Sequence, residues 1–226
     1  MDKLDKTRQR LNSWLDILSH AVTDLRVDQH IFWEVQGIIR ANPKSHTPGD
    51  FNRWMGRMYS SAISVAIRRQ VDEDPRSVSF IRFLQEFKRT PTVVSRDRYV
   101  GFFRKAGLPD WLANRDFDKH VGAGRSFVSP AAIKGEVKEL KLKTEPLRKY
   151  VNKRIAHHDE GEFTDFPKFQ DIDGAIDYLE VLLKRYILLL RGDGLVQVLP
   201  YWQYDWKAVF CHPWITRMVD GTIDSE

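Results

Sequence analysis

The sequence predicts an all-α fold: a bundle of four to five long helices with an irregular helical insertion and an aromatic C-terminal tail. Apolar residues recur at steps of three and four along most of the 226 residues, and that period is typical of amphipathic helices. Proline and glycine interrupt the period where helices end or begin. The intervening segments show no convincing strand pattern, so we expect a single helical domain over residues 1–226.

The first helix is expected from about Thr7 to Asn42, with a bend or break near Asp28. Its apolar residues lie three or four positions apart, beginning with Leu11, Trp14, Leu15, Leu18 and Val22. Pro43 should end this helix, because proline has no backbone N–H to contribute to the helical hydrogen bonds.

Capping residues place the next two helices. The run Thr47-Pro48-Gly49-Asp50 predicts a helix with Thr47 as its N-cap and an acidic residue in the first turn, ending around Val71. Ser77 is predicted to cap a third helix, which Pro91 closes.

Two further long helices are predicted in the second half of the chain. The first should run from Ser129-Pro130 through Glu145, and Pro146 then lies in a kink or opens a separate turn. The last long helix begins at Asp171 or Asp173 and ends at Arg191-Gly192, a basic last turn followed by a C-terminal glycine.

Two segments are less regular than the long helices. Residues 91–128 are interpreted as a variable insertion with short helices at about 96–106 and 110–120. Residues 195–226 form a tail too aromatic to remain in water, so we expect it to pack back on the bundle or onto a partner. Its aromatic residues include Trp202, Tyr204, Trp206, Phe210 and Trp214.

The composition indicates a basic protein of the cytoplasm. Lysine and arginine number 36 against 31 acidic residues, a net charge of +5, and 21 of the 36 cations are arginine. The single cysteine, Cys211, fits a reducing compartment, and we expect a buried thiol there rather than a nucleophile. No apolar run is long enough for a bilayer, and the N-terminus has no secretion signal, so no membrane partner is expected.

No motif for a nucleotide cofactor or a metal is present in the sequence. It contains no glycine-rich phosphate loop, no GxGxxG, no HExxH and no GxSxG. The acidic cluster Asp72-Glu73-Asp74 is interpreted as capping charges between helices rather than as ligands, because no histidine or second acidic pair has ligand spacing. We therefore expect no cofactor and no metal site.

The stretch Arg148 to Asp159 is the most informative part of the sequence. On an α-helix, Arg154 would share a face with His157 and His158. Two imidazoles beside a basic helix end can bind and cleave a phosphodiester, one as base and one as acid, with a cation for the transition-state charge. The alternative is a surface helix C-terminus whose cations complement the helix dipole.

The core of this stretch, Asn152 to His157, reads Asn-Lys-Arg-Ile-Ala-His and resembles the HEPN superfamily, specifically the abortive-infection branch of the AbiU type. Three other places agree with that branch. They are the early helix with Trp14, the run Arg68–Asp72 followed by Ser77 or Ser79 and Leu84, and the closing Asp205–Trp214.

The resemblance implies a helical bundle that forms a homodimer through its motif-bearing helices. It also implies a metal-independent endoribonuclease whose signature is arginine, four to six residues, then histidine. In this sequence His157 matches the family histidine and Asn152 the polar residue after the arginine, but the arginine position itself is Val151. Lys153 keeps the spacing to His158, and Arg148 or Arg154 could substitute in space, although only arginine offers a planar fork.

The resemblance assigns site residues in two groups. The catalytic group is His157, His158 and Arg154, with His157 as the acid/base; the RNA-binding group is Asn152, Lys153, Arg148 and Lys149. Two other pairs, Arg115–His120 and Arg40–His46, fit the bare spacing. Chance alone predicts roughly two such matches, so we interpret the first as a surface pair and discount the second, which crosses a proline loop.

The sequence is compatible with three functional hypotheses. The first is an RNA-binding toxin or phage-defence effector with endoribonuclease activity. The second is a catalytically degenerate binding module, and the third is an interaction subunit that uses the aromatic tail. The expected partners are RNA, a second copy of the chain, and an antitoxin or regulatory protein.

Overall fold

Seven α-helices account for most of the chain that the computed structural model describes, namely residues 2–42, 49–155, 164, 166–212, 218–219 and 222–223. In chain order the helices are α1 (Lys3–Ala41), α2 (Asp50–Gln70), α3 (Phe80–Arg89), α4 (Arg96–Lys105), α5 (Asp110–Val121), α6 (Pro130–Tyr150) and α7 (Phe169–Arg191). The all-α prediction is confirmed.

The four longest helices, α1, α2, α6 and α7, pack around one apolar core. α7 lies against α1, α2 and α6, and α3 lies against α1 and α6. The stripe of α1 that the spacing predicted is buried, with Leu11, Leu15 and Val22 fully inaccessible. Its counterpart on α7 includes Ile176, Leu183 and Leu190, so burial of these apolar faces stabilises the bundle.

The predicted break in α1 at Asp28 is wrong, because the helix is continuous from Lys3 to Ala41. Leu25 and Phe32 extend the buried stripe on either side of Asp28. Arg26 also ties this part of α1 to α7 through ion pairs with Asp177 and Glu180. Packing against α7 on both sides of Asp28 keeps the helix intact.

Two of the predicted N-caps are displaced. Gly49 is the N-cap of α2, whereas Thr47 lies outside the described residues. Ser79, not Ser77, caps α3, and its Oγ accepts a hydrogen bond from the backbone N–H of Arg82 at 3.2 Å. Ser77 instead closes a turn, because its N–H and its hydroxyl both donate to the carbonyl oxygen of Asp74.

The ends of the last two long helices follow the predicted chemistry with shifted bounds. Ser129 caps α6 by accepting from the N–H of Ala132 at 3.1 Å. α7 begins at Phe169, and the Asp171 carboxylate accepts from the N–H of Lys168 at 2.7 Å. Gly192 ends α7 at a φ of +75°, as predicted for a C-terminal glycine.

The insertion forms a helical hairpin from α4 and α5, preceded by a 3-10 turn at Pro91–Val93. Its own aromatic residues Tyr99 and Phe117 are fully buried. Arg96 joins the two helices, since its guanidinium donates to Asn114 and pairs with Asp118. Both short helices that the sequence predicted are therefore present.

The tail contacts α1 through its rings. Trp202 stacks on His30 with centroids 4.9 Å apart, and Lys207 pairs with Glu34. A 3-10 turn spans Trp206–Cys211, and the strands β1 (Met218–Val219) and β2 (Thr222–Ile223) pair antiparallel. The expected buried thiol is wrong, because Cys211 is exposed on this turn. Among the described residues, no helix is both long and apolar enough to cross a membrane.

Candidate functional site

The motif-bearing helix continues past its proline, so of the two predictions for Pro146 the separate turn is wrong. α6 continues through Pro146 to Tyr150, and Val151–Ile155 then form a π turn. π turns are rare, occur as single turns and are frequent at functional sites. One extra residue in a turn rotates the side chains that follow by about 100° relative to α-helical spacing. Face assignments that assume an α-helix therefore do not hold within Val151–Ile155.

Five of the seven predicted site residues lie on α6 and the π turn: the exposed Arg148, Lys149 and Lys153, and the partly buried Asn152 and Arg154. His157 and His158 lie outside the described residues. Their assignment as catalytic groups, and their shared face with Arg154, therefore stay predictions.

Val151, at the position where the resemblance places the family arginine, faces the interior. Only 4 % of Val151 is exposed, on a turn that contacts α2. A guanidinium at this position would have to leave water and enter an apolar environment, which is costly. The departure from the family pattern is thus consistent with the packing, because position 151 is a core position in this chain.

An arginine from another helix reaches the π turn instead. Arg68, near the end of α2, donates from Nε to Oδ1 of Asn152 at 2.9 Å. The two helices also meet at Ser61 and Tyr150, whose hydroxyl oxygens lie 3.4 Å apart. Arg68 was not among the predicted site residues. The sequence feature that points to it is its place in the Arg68–Asp72 run, which resembles the family.

A cleft of about 320 Å³ lies between the last turns of α2 and the second half of α6. Arg68 and Asn152 line it together with Arg148, so two of the predicted RNA-binding residues belong to this cleft. Lys141 and Glu73 lie on its wall and form an ion pair. The cleft therefore presents both cations and carboxylates.

One carboxylate serves two of the predicted RNA-binding cations. Glu145 accepts from Nη2 of Arg148 at 2.6 Å and lies 3.8 Å from Nζ of Lys149. All three side chains are at least one-third exposed. Ion pairs this exposed contribute about 0–1 kcal/mol, so a phosphate could displace Glu145 at small cost.

The two other arginine–histidine pairs do not form sites in the described part of the chain. The Arg115 guanidinium lies 5.2 Å from the ring centroid of Trp111. His120 is partly buried, and that burial lowers the pKa of its imidazole. Its carbonyl oxygen accepts from Nη2 of Arg185 at 2.7 Å. Arg40 is exposed at the end of α1, whereas His46 lies outside the described residues.

The acidic cluster between α2 and α3 acts as turn and capping chemistry. Oδ1 of Asp72 accepts from the N–H of Asp74 at 3.1 Å, and Oδ1 of Asp74 accepts from the N–H of Arg76 at 2.8 Å. The Arg76 guanidinium holds the pKa of the Asp74 carboxyl below its usual value. No group of three or more histidine, cysteine or acidic side chains within the described residues is arranged to hold a metal ion.

Comparison with known proteins gives one match. The model of the family HEPN_AbiU2, described as AbiU2, matches residues 8–208. The match therefore includes α1 from Arg8 onward, α2 through α7 and the start of the tail. No curated protein and no solved structure matches the chain.

Proposed function

The chain belongs to the AbiU2 family of HEPN domains, and from this membership we propose that it acts in abortive infection as a toxin or phage-defence effector that binds RNA. The single observation that best supports RNA as the ligand is the basic end of the motif-bearing helix. Arg148, Lys149 and Lys153 are exposed there, next to the histidines of the motif in the sequence.

Charge makes this helix end suitable for phosphates. Among the described residues, Glu145 is the one carboxylate that pairs with Arg148 and Lys149. Lys153 forms no ion pair with any residue that the structure describes. When lysine and arginine side chains neutralise the phosphates of a nucleic acid, the counterions bound to those phosphates are released. This release drives nucleic-acid binding.

From the family resemblance we also propose metal-independent endoribonuclease activity, with His157 as the acid/base. A base takes the proton of the ribose 2′-hydroxyl, and the 2′ oxygen then attacks phosphorus. The bond from phosphorus to the 5′ oxygen breaks, and an acid protonates that oxygen. Cations such as Arg154 and Lys153 stabilise the additional negative charge on the phosphorane.

The test is incubation of the purified protein with total RNA in buffer without added metal. We expect RNA retention at low salt and cleavage that His157→Ala abolishes. His20→Ala is the matched control, because His20 is an exposed histidine on α1. Cleavage that persists undiminished in His157→Ala would refute the assignment of His157. Failure of the unaltered protein to retain RNA at low salt would refute the proposal as a whole.

A catalytically degenerate HEPN binding module is the second candidate, and the burial of Val151 favours it. The family arginine is absent from its position, and that position faces the core. This candidate predicts salt-sensitive RNA retention with no cleavage in either the unaltered protein or His157→Ala. The same assay therefore separates the two candidates.

A homodimer through the motif-bearing helix is part of the proposal. Leu142, in the middle of α6, is 65 % exposed and offers an apolar contact on the motif-bearing helix to a second copy of the chain. Light scattering during size exclusion should give twice the mass of one chain. Leu142→Glu should give the mass of one chain, and Ile17→Glu, on the exposed side of α1, should leave the dimer intact. Control by an antitoxin stays a prediction.

A further inference from the structure

The cleft between α2 and α6 contains two charged side chains with no ionic partner in the described part of the molecule. Lys141 there pairs with Glu73, and Arg148 pairs with Glu145. Arg68 and Asp72 line the same cleft, and neither forms a salt bridge with a described residue. Arg68 and Asp72 are therefore the charged groups of the cleft that a ligand can contact without displacing an ion pair between described residues.

Arg68 is oriented for an anion. Its Nε donates to the Asn152 amide at 2.9 Å, which fixes the guanidinium without neutralising it. The two terminal nitrogens retain their N–H donors, and a planar pair of donors matches two oxygens of a phosphate. Arg68 is only partly exposed, so its attraction to an anion is screened less than at an open surface.

Whereas Arg68 favours an anion, Asp72 favours a hydrogen-bond donor on the same ligand. Its Oδ1 accepts from the N–H of Asp74, and its Oδ2 accepts no hydrogen bond from a described residue. A carboxylate oxygen in this position favours a ligand that brings a hydroxyl or amino donor. A simple anion would satisfy Arg68 but would be repelled by Asp72.

We infer that this cleft binds one ribonucleotide unit, with its phosphate on Arg68 and a ribose hydroxyl on Asp72. The volume of about 320 Å³ is at the lower end of ligand-site sizes, which suits a single nucleotide rather than a duplex. The inference rests on the proposed function, because it assigns the nucleotide-binding residues of an RNA-binding protein.

The experiment measures the affinity of the full chain for a fluorescein-labelled single-stranded RNA by anisotropy at several salt concentrations. The central variant is Arg68→Ala, and Arg69→Ala is its matched control, because Arg69 is the neighbouring arginine and is exposed outside the cleft. Arg68→Lys keeps the charge without the fork. Thermal melting of each variant checks that it is folded.

We expect Arg68→Ala to weaken RNA binding about tenfold and to lower the slope of log affinity against log salt by about one. Arg69→Ala should change the affinity by less than about twofold, and Arg68→Lys should fall between them. Equal affinities for folded Arg68→Ala and Arg69→Ala would overturn the assignment of Arg68.

The ligand class is tested with competitors and with DNA. AMP should compete for the cleft more strongly than adenosine or inorganic phosphate, because only AMP satisfies both Arg68 and Asp72. DNA of the same sequence should bind more weakly than RNA, and Asp72→Asn should reduce that difference. Equal competition by inorganic phosphate and AMP would overturn the ribonucleotide assignment.

The failure of this inference is distinguishable from failure of the proposed function. RNA binding that is unaffected by Arg68→Ala would leave the proposed function standing and refute the cleft. If the unaltered protein binds no RNA, calorimetric titration with AMP alone tests whether the cleft binds a nucleotide. Heat of binding that Arg68→Ala removes would support the cleft, and no heat in the unaltered protein would overturn it.

Discussion

The hydroxyl of Tyr186 on α7 donates a 2.6 Å hydrogen bond to Oε2 of Glu136 on α6, and both side chains are buried. Glu136 also pairs with Arg185, whose other terminal nitrogen donates to the carbonyl oxygen of His120 on α5. This network joins α5, α6 and α7. Because the Glu136 carboxylate is buried, the Tyr186 hydroxyl and the Arg185 guanidinium depend on it as their hydrogen-bond acceptor.

Glu136→Ala should lower the free energy of unfolding by about 3–5 kcal/mol, because it leaves the Arg185 charge and the Tyr186 hydroxyl without their acceptor. Tyr186→Phe should lower it by about 1–2 kcal/mol, since only one donor is lost. Urea denaturation measures both. Glu139→Ala is the control on the same helix, where an exposed pair with Lys143 predicts a change within about 0.5 kcal/mol. A loss in Glu136→Ala no larger than in this control would contradict the prediction.

Asp28→Asn should stabilise the protein at pH 7. Burial first, and then the negative charge of Asp24, raise the pKa of the Asp28 carboxyl. The folded state therefore binds this proton more tightly than the unfolded state, and stability falls as pH rises from the unfolded value of 3.8 through the raised folded value. The full penalty is present at pH 7.

Melting temperatures between pH 4 and 7 test this sign. The advantage of Asp28→Asn should be largest at pH 7 and should shrink as the pH falls and the native carboxyl takes up its proton. Asp24→Asn should stabilise in the same direction but less, because it removes only the second cause. An Asp28→Asn protein that melts lower at pH 7 would show that the carboxylate is stabilising instead.

Val151→Arg should destabilise the chain by about 3–5 kcal/mol without restoring a site arginine, because position 151 is 4 % exposed and an arginine there is an uncompensated buried charge. Lys153→Arg introduces the same side chain at an exposed position of the same turn and should change stability by less than about 0.5 kcal/mol. Equal stability of the two variants in urea would mean that residue 151 can turn outward.

Gly192→Ala should cost about 2 kcal/mol or more. The residue adopts a φ of +75°, where a side chain is strained, and an added Cβ would lie 2.8 Å from Cβ and Cγ of Phe102. Gly194 has no atom within 4 Å of an added Cβ and no positive φ. Gly194→Ala should therefore change the free energy of unfolding by less than about 0.5 kcal/mol, and a similar effect of both substitutions would refute the argument.

Local chemistry predicted the helices well and their ends less well. The apolar stripe from Leu11 to Val22 is buried, as predicted. The three- and four-residue spacing of its apolar residues places them on one face of a helix. The cap of α3 is Ser79 instead of Ser77, and both serines have the same local capping chemistry. The turn that Ser77 makes with Asp74 selects between them.

A helical bundle with a basic, motif-bearing helix follows from local sequence, because helix period, caps and charge are properties of neighbouring residues. The burial of Val151 and the contact of Arg68 with Asn152 follow from the packing of the helices. These outcomes depend on how α6 is rotated against α2 and on the extra residue of the π turn. A rotation of about 100° exchanges an exposed position for a buried one, and no local pattern specifies it.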